Sequence, residues 1–431
     1  MEKLRLFSFA LLASTVMLVV GCTPTTSSEA PSSSAPVSSS EVVEDPSQGI
    51  TATTIKVGNT AATTGVMAAV GLPFNAGLQA AFEEVNDAGG IGGRTIEFVH
   101  YDDTFNAATG LADTEKLVED DEVFALVGHF GTPTVSATID YIQDVGIPMV
   151  YAATGINQLY FQRTPGNPVM AVQPIYKTEG RILLARVYNE PELFGAVDKV
   201  GVIYTADDAG LSIKAGIDVE ALELGKSAEV VSQAGSGDFS AAVLALATAA
   251  VDVVIVATNQ AYFPVALTAM AAGALEVPVL TSYVSANPYY IANANVTATR
   301  PVYTNAWVDV SSPDVADEVT AFATCINAYS ALDEVTKAAY AANSFAIAGY
   351  IAAKIFIAGV ERVEEEGKVL TWANYIAAME SAPIDFPLGG VIDFTDGKRW
   401  GVDSLSLLKY NKETSLLEVS RPIETLSEIL A

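Results

Sequence analysis

The sequence predicts an α/β protein made of two lobes, each a doubly wound parallel sheet clothed in helices, and three patterns lead there. After Gly49, short β-branched runs alternate with longer Ala-rich stretches of helical period, the pattern of βα units that build parallel sheets. The candidate strands are too many for one small sheet. They also fall into two series of similar length, from Ile50 to about Val172 and from about Tyr176 to Thr299.

The elements follow in order. Lys3 and Arg5 precede the apolar run Leu6 to Val20, which is too short for a comfortable membrane span and suits a secretory leader at residues 1–21. It closes on Val19-Val20-Gly21-Cys22, which resembles a bacterial lipobox and implies a lipid on Cys22. Residues 22–49 are mostly Ser, Thr, Pro, Ala, Val and acids, a composition that cannot offset its ordering entropy by burial, so they read as a disordered tether. A flexible chain of that length spans about 25 to 30 Å.

Strands are predicted at Thr54 to Gly58, Ile96 to Tyr101, Val123 to Gly128, Pro148 to Ala152, Val200 to Thr205, Glu229 to Ser232, Val251 to Ala257, Val277 to Thr281 and Val302 to Ala306. Helices lie between them, among them Leu72 to Val85, Thr134 to Val145, Thr178 to Tyr188 and Leu211 to Leu224. Two more, near Asp314 to Tyr329 and Lys337 to Val360, have room to return to the first sheet. Such a chain crosses between lobes more than once, giving a multi-strand hinge about a cleft.

At 431 residues a sizeable core is easily built. With 51 acidic against 22 basic residues, the formal charge of -29 repels phosphate backbones and argues against a nucleic-acid partner. Two cysteines, Cys22 and Cys325, and two histidines, His100 and His129, argue against a metal cluster, and no cofactor is expected. Cys325 reads as a buried helical hydrophobe. Asp102 and Asp103 follow a strand and read as turn and cap formers, and His129 as a core imidazole.

Ile55-Lys56-Val57-Gly58, Thr64-Gly65, Phe74-Asn75-Ala76-Gly77, the run Val85 to Arg94 with Gly89-Gly90-Ile91-Gly92-Gly93, and Tyr101-Asp102-Asp103 stand in the order and spacing of one family's N-terminal signature. Val127-Gly128-His129, Gly146-Ile147-Pro148, Ala152-Ala153-Thr154 and Asp238-Phe239-Ser240 continue it over most of residues 50 to 410. The chain thus resembles the leucine/isoleucine/valine-binding proteins, solute receptors of ABC importers. The glycine run follows a helix and precedes a strand, so it serves as C-cap and turn, whereas a phosphate loop runs from strand to helix.

The resemblance implies the type I periplasmic-binding fold, with lobe 1 at 50–172 plus 309–392 and lobe 2 at 173–305 plus 398–425. Crossovers are expected near Val172 to Pro174, Asn305 to Val308 and Asp393 to Gly397. Thr132, read from its neighbours as N-cap of a helix with Pro133 at the first helical position, falls where the family binds the ligand carboxylate. Ala152, Ala153 and Thr154 fall where the family supplies a backbone group and a hydroxyl. The family's second-lobe carboxylate, which meets the ligand ammonium, aligns with Tyr283, and two wall aromatics align with Val70 and Ala209. Asn259 and Tyr262 are further second-lobe candidates. Asp207 and Asp208 have two open readings, the missing charge or helix caps.

The expected function is non-enzymatic capture of a small carboxylate-bearing solute, a branched-chain amino acid or related compound, by lobe closure. Delivery is to ABC permease subunits, from a monomer that meets the membrane through its lipid only. Two alternatives stay open: a receptor of the same fold that feeds a membrane sensor, and a binder of aromatic acids or amides. A third, a secreted hydrolase, needs a nucleophile-base pair that the sequence does not offer.

Overall fold

The computed structural model describes residues 45–431 apart from 236, 286, 295–299, 309, 311–312 and 389. The leader, Cys22 and most of the expected tether lie outside the described residues. Its last few residues are described, and they correct the tether boundary. The Gln48 amide donates to the Val118 and Val123 carbonyls at 2.9 and 3.1 Å, and the Trp372 amide donates to the Ser47 hydroxyl at 3.0 Å. Composition put these residues in a free linker, but long-range hydrogen bonds fix them to the first lobe.

The first sheet contains β1 (Thr54–Ala61), β2 (Thr95–Asp102), β3 (Ala125–Val127), β4 (Met149–Val150) and β5 (Val169–Met170), all parallel, in the order β2-β1-β3-β4-β5. Between them run α1 (Ala68–Asp87), α2 (Ala107–Glu119) and α3 (Thr132–Val145). Every residue of β3 is buried, as expected of a short apolar run covered on both faces.

The chain then enters α4 (Tyr176–Asn189), the short α5 (Pro191–Phe194) and a second series: β6 (Val200–Thr205), α6 (Asp208–Glu223), β7 (Val230–Gly235), α7 (Ser240–Ala249), β8 (Val253–Ala257), α8 (Phe263–Ala272), β9 (Val279–Thr281), α9 (Pro288–Ala294) and β10 (Val302–Ala306). Next come α10 (Ala316–Ala328), α11 (Glu334–Tyr340), α12 (Ser344–Glu365), α13 (Trp372–Met379) and a hairpin of β11 (Ile384–Phe386) and β12 (Gly390–Ile392). The predicted Lys337 to Val360 helix is interrupted, because Asn343 accepts from the Phe345 and Ala346 amides and starts a new helix. Finally β13 (Ser404–Asn411) and β14 (Leu416–Thr425) join the second sheet antiparallel, before α14 (Leu426–Ile429).

The second sheet reads β7-β6-β8-β9-β10-β13-β14. Its parallel part repeats the first sheet's topology strand for strand, with the first strand of each series beside the second and third. Both lobes are therefore doubly wound, and both leave a crevice at the carboxyl ends of their strands, where the order reverses.

Small residues set the helix layers. A Cβ at Gly77 would overlap the Ala346 carbonyl and one at Gly349 the Phe74 carbonyl, so α1 and α12 cross at backbone distance. Gly180 and Gly216 do the same for α4 and α6, where a Cβ would overlap the Ile213 and Lys177 carbonyls. The stretch Gly65–Asp87, which contains α1, and the helix α12 are long and apolar enough to cross a membrane, but most of each is buried inside the fold.

The passages between lobes lie side by side. The Val402 amide, before β13, donates to the Val172 carbonyl, after β5, at 2.8 Å. The last passage lies later than Asp393 to Gly397, because the Thr164 amide donates to Gly397 and the Phe161 amide to Arg399, holding that stretch on the first lobe. Trp307, just after β10, packs between Tyr151 and Phe386, with ring centroids at 6.0 and 5.7 Å.

Candidate functional site

Loops at the carboxyl ends of both sheets meet around one cavity of about 60 Å³. The first lobe contributes the β3–α3 loop with Phe130, Gly131 and Thr132, and Ala153 from the loop after β4. Gln260 follows β8, and Gln173 and Tyr176 come from the passage into α4.

The start of α3 leaves two backbone donors without an acceptor among the described residues. Gly131 sits before the helix at φ 97°, where a side chain would be strained and would press on the Phe105 ring. Pro133 occupies the first turn, and among the described residues the Thr132 and Thr134 amides find no acceptor. Free amides at the positive end of a helix attract an anion. The Thr132 hydroxyl, expected as N-cap, shares a 2.8 Å hydrogen bond with the Thr154 hydroxyl instead. The cap falls one residue earlier, on the glycine that can adopt the left-handed turn. Burial raises the Tyr176 phenol above its ordinary pKa, opposed in part by the Thr154 and Thr132 hydroxyls, so three hydroxyls gather at one corner.

The floor beneath α3 is fixed by Asp103, which accepts from Thr134 at 2.5 Å, Thr60 at 3.0 Å and the Phe105 amide at 2.8 Å. Asp102 accepts from the Thr63 and Thr104 amides, so both acids are structural, as expected. The remaining wall is apolar. Val70, Met67, Phe74, Phe130 and Phe345 line it, and the Phe74 and Phe130 rings lie 5.8 Å apart, tilted by 51°.

Of the residues singled out by sequence, Thr132, Ala153 and Val70 line the cavity, and Thr154 backs it through Thr132. Ala152 is fully buried in the first-lobe core. Tyr283 stands behind the wall: its hydroxyl donates to the Pro174 carbonyl at 2.9 Å and accepts from the Gln173 amide at 2.9 Å. Asn259 accepts from the Ala261 amide at 2.9 Å and does not line the cavity. Tyr262 is partly exposed on Phe239. Asp207 caps α6 through the Gly210 amide at 2.9 Å, and Asp208 is exposed on the first turn. Neither acid reaches the cavity, because both are held at the helix start.

Sequence reasoning missed Gln260, Gln173 and Tyr176. Gln260 adjoins the named Asn259 at the end of β8, and only the backbone turn there decides which of the two faces inward. Gln173 and Tyr176 become wall residues only once the two lobes face each other.

Below the cavity, Glu179 in the first turn of α4 is fully buried. It accepts from the Ser282 hydroxyl at 2.6 Å, the Tyr283 amide at 2.7 Å and the Asn305 side chain at 3.3 Å. Burial pushes its pKa up to about 7. His129 is equally buried; burial pulls it down to about 3, and its Nε2 meets the Thr114 and Thr138 hydroxyls, each at 3.2 Å. Among the described residues no three His, Cys, Asp or Glu side chains gather as a metal site. Among the described residues that line the cavity there is no Asp, Glu or His to act as a base.

Comparison with known proteins gives the same picture. A family model described as periplasmic binding protein matches residues 54–414. The leucine-, isoleucine-, valine-, threonine- and alanine-binding protein of Pseudomonas aeruginosa is 34% identical over 104 residues, which is 24% of this chain and 28% of that one. The curated relatives are matched over only 22% to 50% of their own length. Among solved structures, a fatty acid ABC transporter substrate-binding protein from Thermomonospora curvata superposes with a TM-score of 0.74 at 22% identity, covering 89% of this chain and 96% of that one. A branched-chain amino acid ABC transporter protein from Thermus thermophilus with bound valine gives 0.74 at 19% identity, covering 86% and 96%.

Proposed function

Since the chain belongs to the periplasmic binding protein family, whose members bind solutes and are not enzymes, we propose that it is the lipid-anchored, extracytoplasmic receptor of an ABC importer, and that its lobes close over one small carboxylate-bearing solute. The observation that carries this reading is the polar corner of the cavity. Among the described residues the Thr132 and Thr134 amides have no acceptor, Thr132 shares a hydroxyl pair with Thr154, and Thr132 lines the cavity together with Gln260 of the other lobe. A carboxylate seated there is held by dipoles and hydroxyls without a cationic partner. Gln260 and Tyr176 complete the enclosure only when the lobes are together, so binding favours the closed form, which a permease can recognise.

The basic start at Lys3 and Arg5, the apolar run and Cys22 support lipid anchoring at the outer face of the cell membrane. Replacing Cys22 by Ser should release the protein from the membrane fraction; retention there would rule the anchor out. Closure is tested by melting the purified full-length protein with a panel of small carboxylates and amino acids, together with small-angle scattering. A ligand that raises the melting temperature should also shrink the radius of gyration. A stabilising ligand that leaves the radius unchanged would contradict the clamp.

A further inference from the structure

The cavity is polar at one corner and apolar elsewhere, and that distribution bears on the class of solute. The start of α3, Thr132 and Tyr176 can satisfy one carboxylate. Opposite them, the second lobe's own contribution is the carboxamide of Gln260. That side chain is more than nine-tenths buried, and its nearest recorded partner is the thioether of Met67, at 3.8 Å, a weak acceptor. Gln173, also over nine-tenths buried, has its amide nitrogen occupied by Tyr283. Among the described residues, no Asp, Glu, Lys or Arg lines the cavity, and the nearby Glu179 already serves three donors behind the wall. The rest is the ring-rich surface of Phe74, Phe105, Phe130 and Phe345.

We infer that the solute is a monocarboxylate with an apolar acyl or aryl tail and no ammonium group. This deepens the solute-capture reading above and rests on it. A buried ammonium needs an anion or several strong acceptors; here it would meet two carboxamide oxygens and a wall of phenylalanine, and its desolvation would go uncompensated. A tail of carbon alone gains from the same wall. The Gln260 amide is placed to donate to the second carboxylate oxygen from across the cleft.

The test is calorimetric titration of the full-length protein with two matched pairs, 4-methylpentanoate against L-leucine and phenylacetate against L-phenylglycine, together with 4-methylpentanamide. At least one deaminated acid should bind about tenfold or more tighter than its amino acid, a margin of about 1.4 kcal/mol or more. The acyl and aryl arms decide which tail fits. Leucine or phenylglycine binding as tightly as its deaminated acid would overturn the inference and leave solute capture standing. Preference for the amide over the acid would overturn the carboxylate assignment. Failure of every compound to bind would remove the carboxylate-capture reading and this inference together. Gln260→Glu should reverse the order, gaining about tenfold for the amino acid and losing about tenfold for the acid. If that variant melts like the wild type and shows neither change, Gln260 does not contact the solute. The matched pairs on the unaltered protein decide the solute class even if the variant does not fold.

Discussion

Two buried ionisable groups give the protein opposed pH sensitivities. Glu179 titrates near 7 in the folded chain against an ordinary 4.5, so the folded state binds its proton more tightly than the unfolded state does. Its contribution is greatest below the ordinary value and is lost as pH rises towards 7, a loss of about 3 kcal/mol in all. His129 behaves the opposite way. With its pKa lowered to about 3 from 6.5, it favours the fold above 6.5 and withdraws that support as the medium is acidified. Between 4.5 and 6.5 the two slopes partly cancel. Glu179→Gln removes one of them, so urea melts from about pH 5 to about pH 8 should show the variant gaining about 3 kcal/mol on the wild type as pH rises. A constant difference would mean that Glu179 keeps an ordinary pKa. Neither shift is legible in the sequence, where Glu179 is one acid among 51. The burial of α4 against the second sheet creates it.

Most elements were legible, and the reasons differ. Strands β6 and β10 match the predicted Val200 to Thr205 and Val302 to Ala306, because both are rich in β-branched and aromatic residues. The glycine run after α1 is the turn that its position implied. β5, with two residues, and the hairpin of β11 and β12 were missed, being too short to show a period. β13 and β14 alternate weakly because β14 is an edge strand with most residues partly exposed. The site divides in the same way. The α3 start and Ala153 were found through family resemblance, whereas Gln260 and Tyr176 depend on how the lobes face each other. Helix packing was hidden too, since Gly77 and Gly349 declare their contact only in three dimensions. Gly349→Ala should cost about 2 kcal/mol, because the new methyl must separate α1 from α12, and should lower the melting temperature without altering the second lobe's helix signals. An unchanged melting temperature would show that the crossing is looser than described.

On the scale of the whole molecule, one strand order occurs twice, and the proposed clamp rests on that repetition. Two sheets of the same order present their carboxyl ends to a shared cleft, and under the proposed closure the neighbouring passages are the hinge about which a lobe rotates. On the proposed reading, the dipole and hydroxyls of the first lobe orient a carboxylate and the second lobe covers it. The central claim is that the amides opening α3 grip the solute. It is tested most directly by amide NMR of the Thr132 and Thr134 backbone N–H groups during titration with 4-methylpentanoate. Both resonances should move downfield, as expected of donors to an anion, and Thr132→Ala should weaken the titration by about tenfold while leaving the unliganded spectrum largely intact. Saturable binding that leaves both amides unmoved would contradict the account.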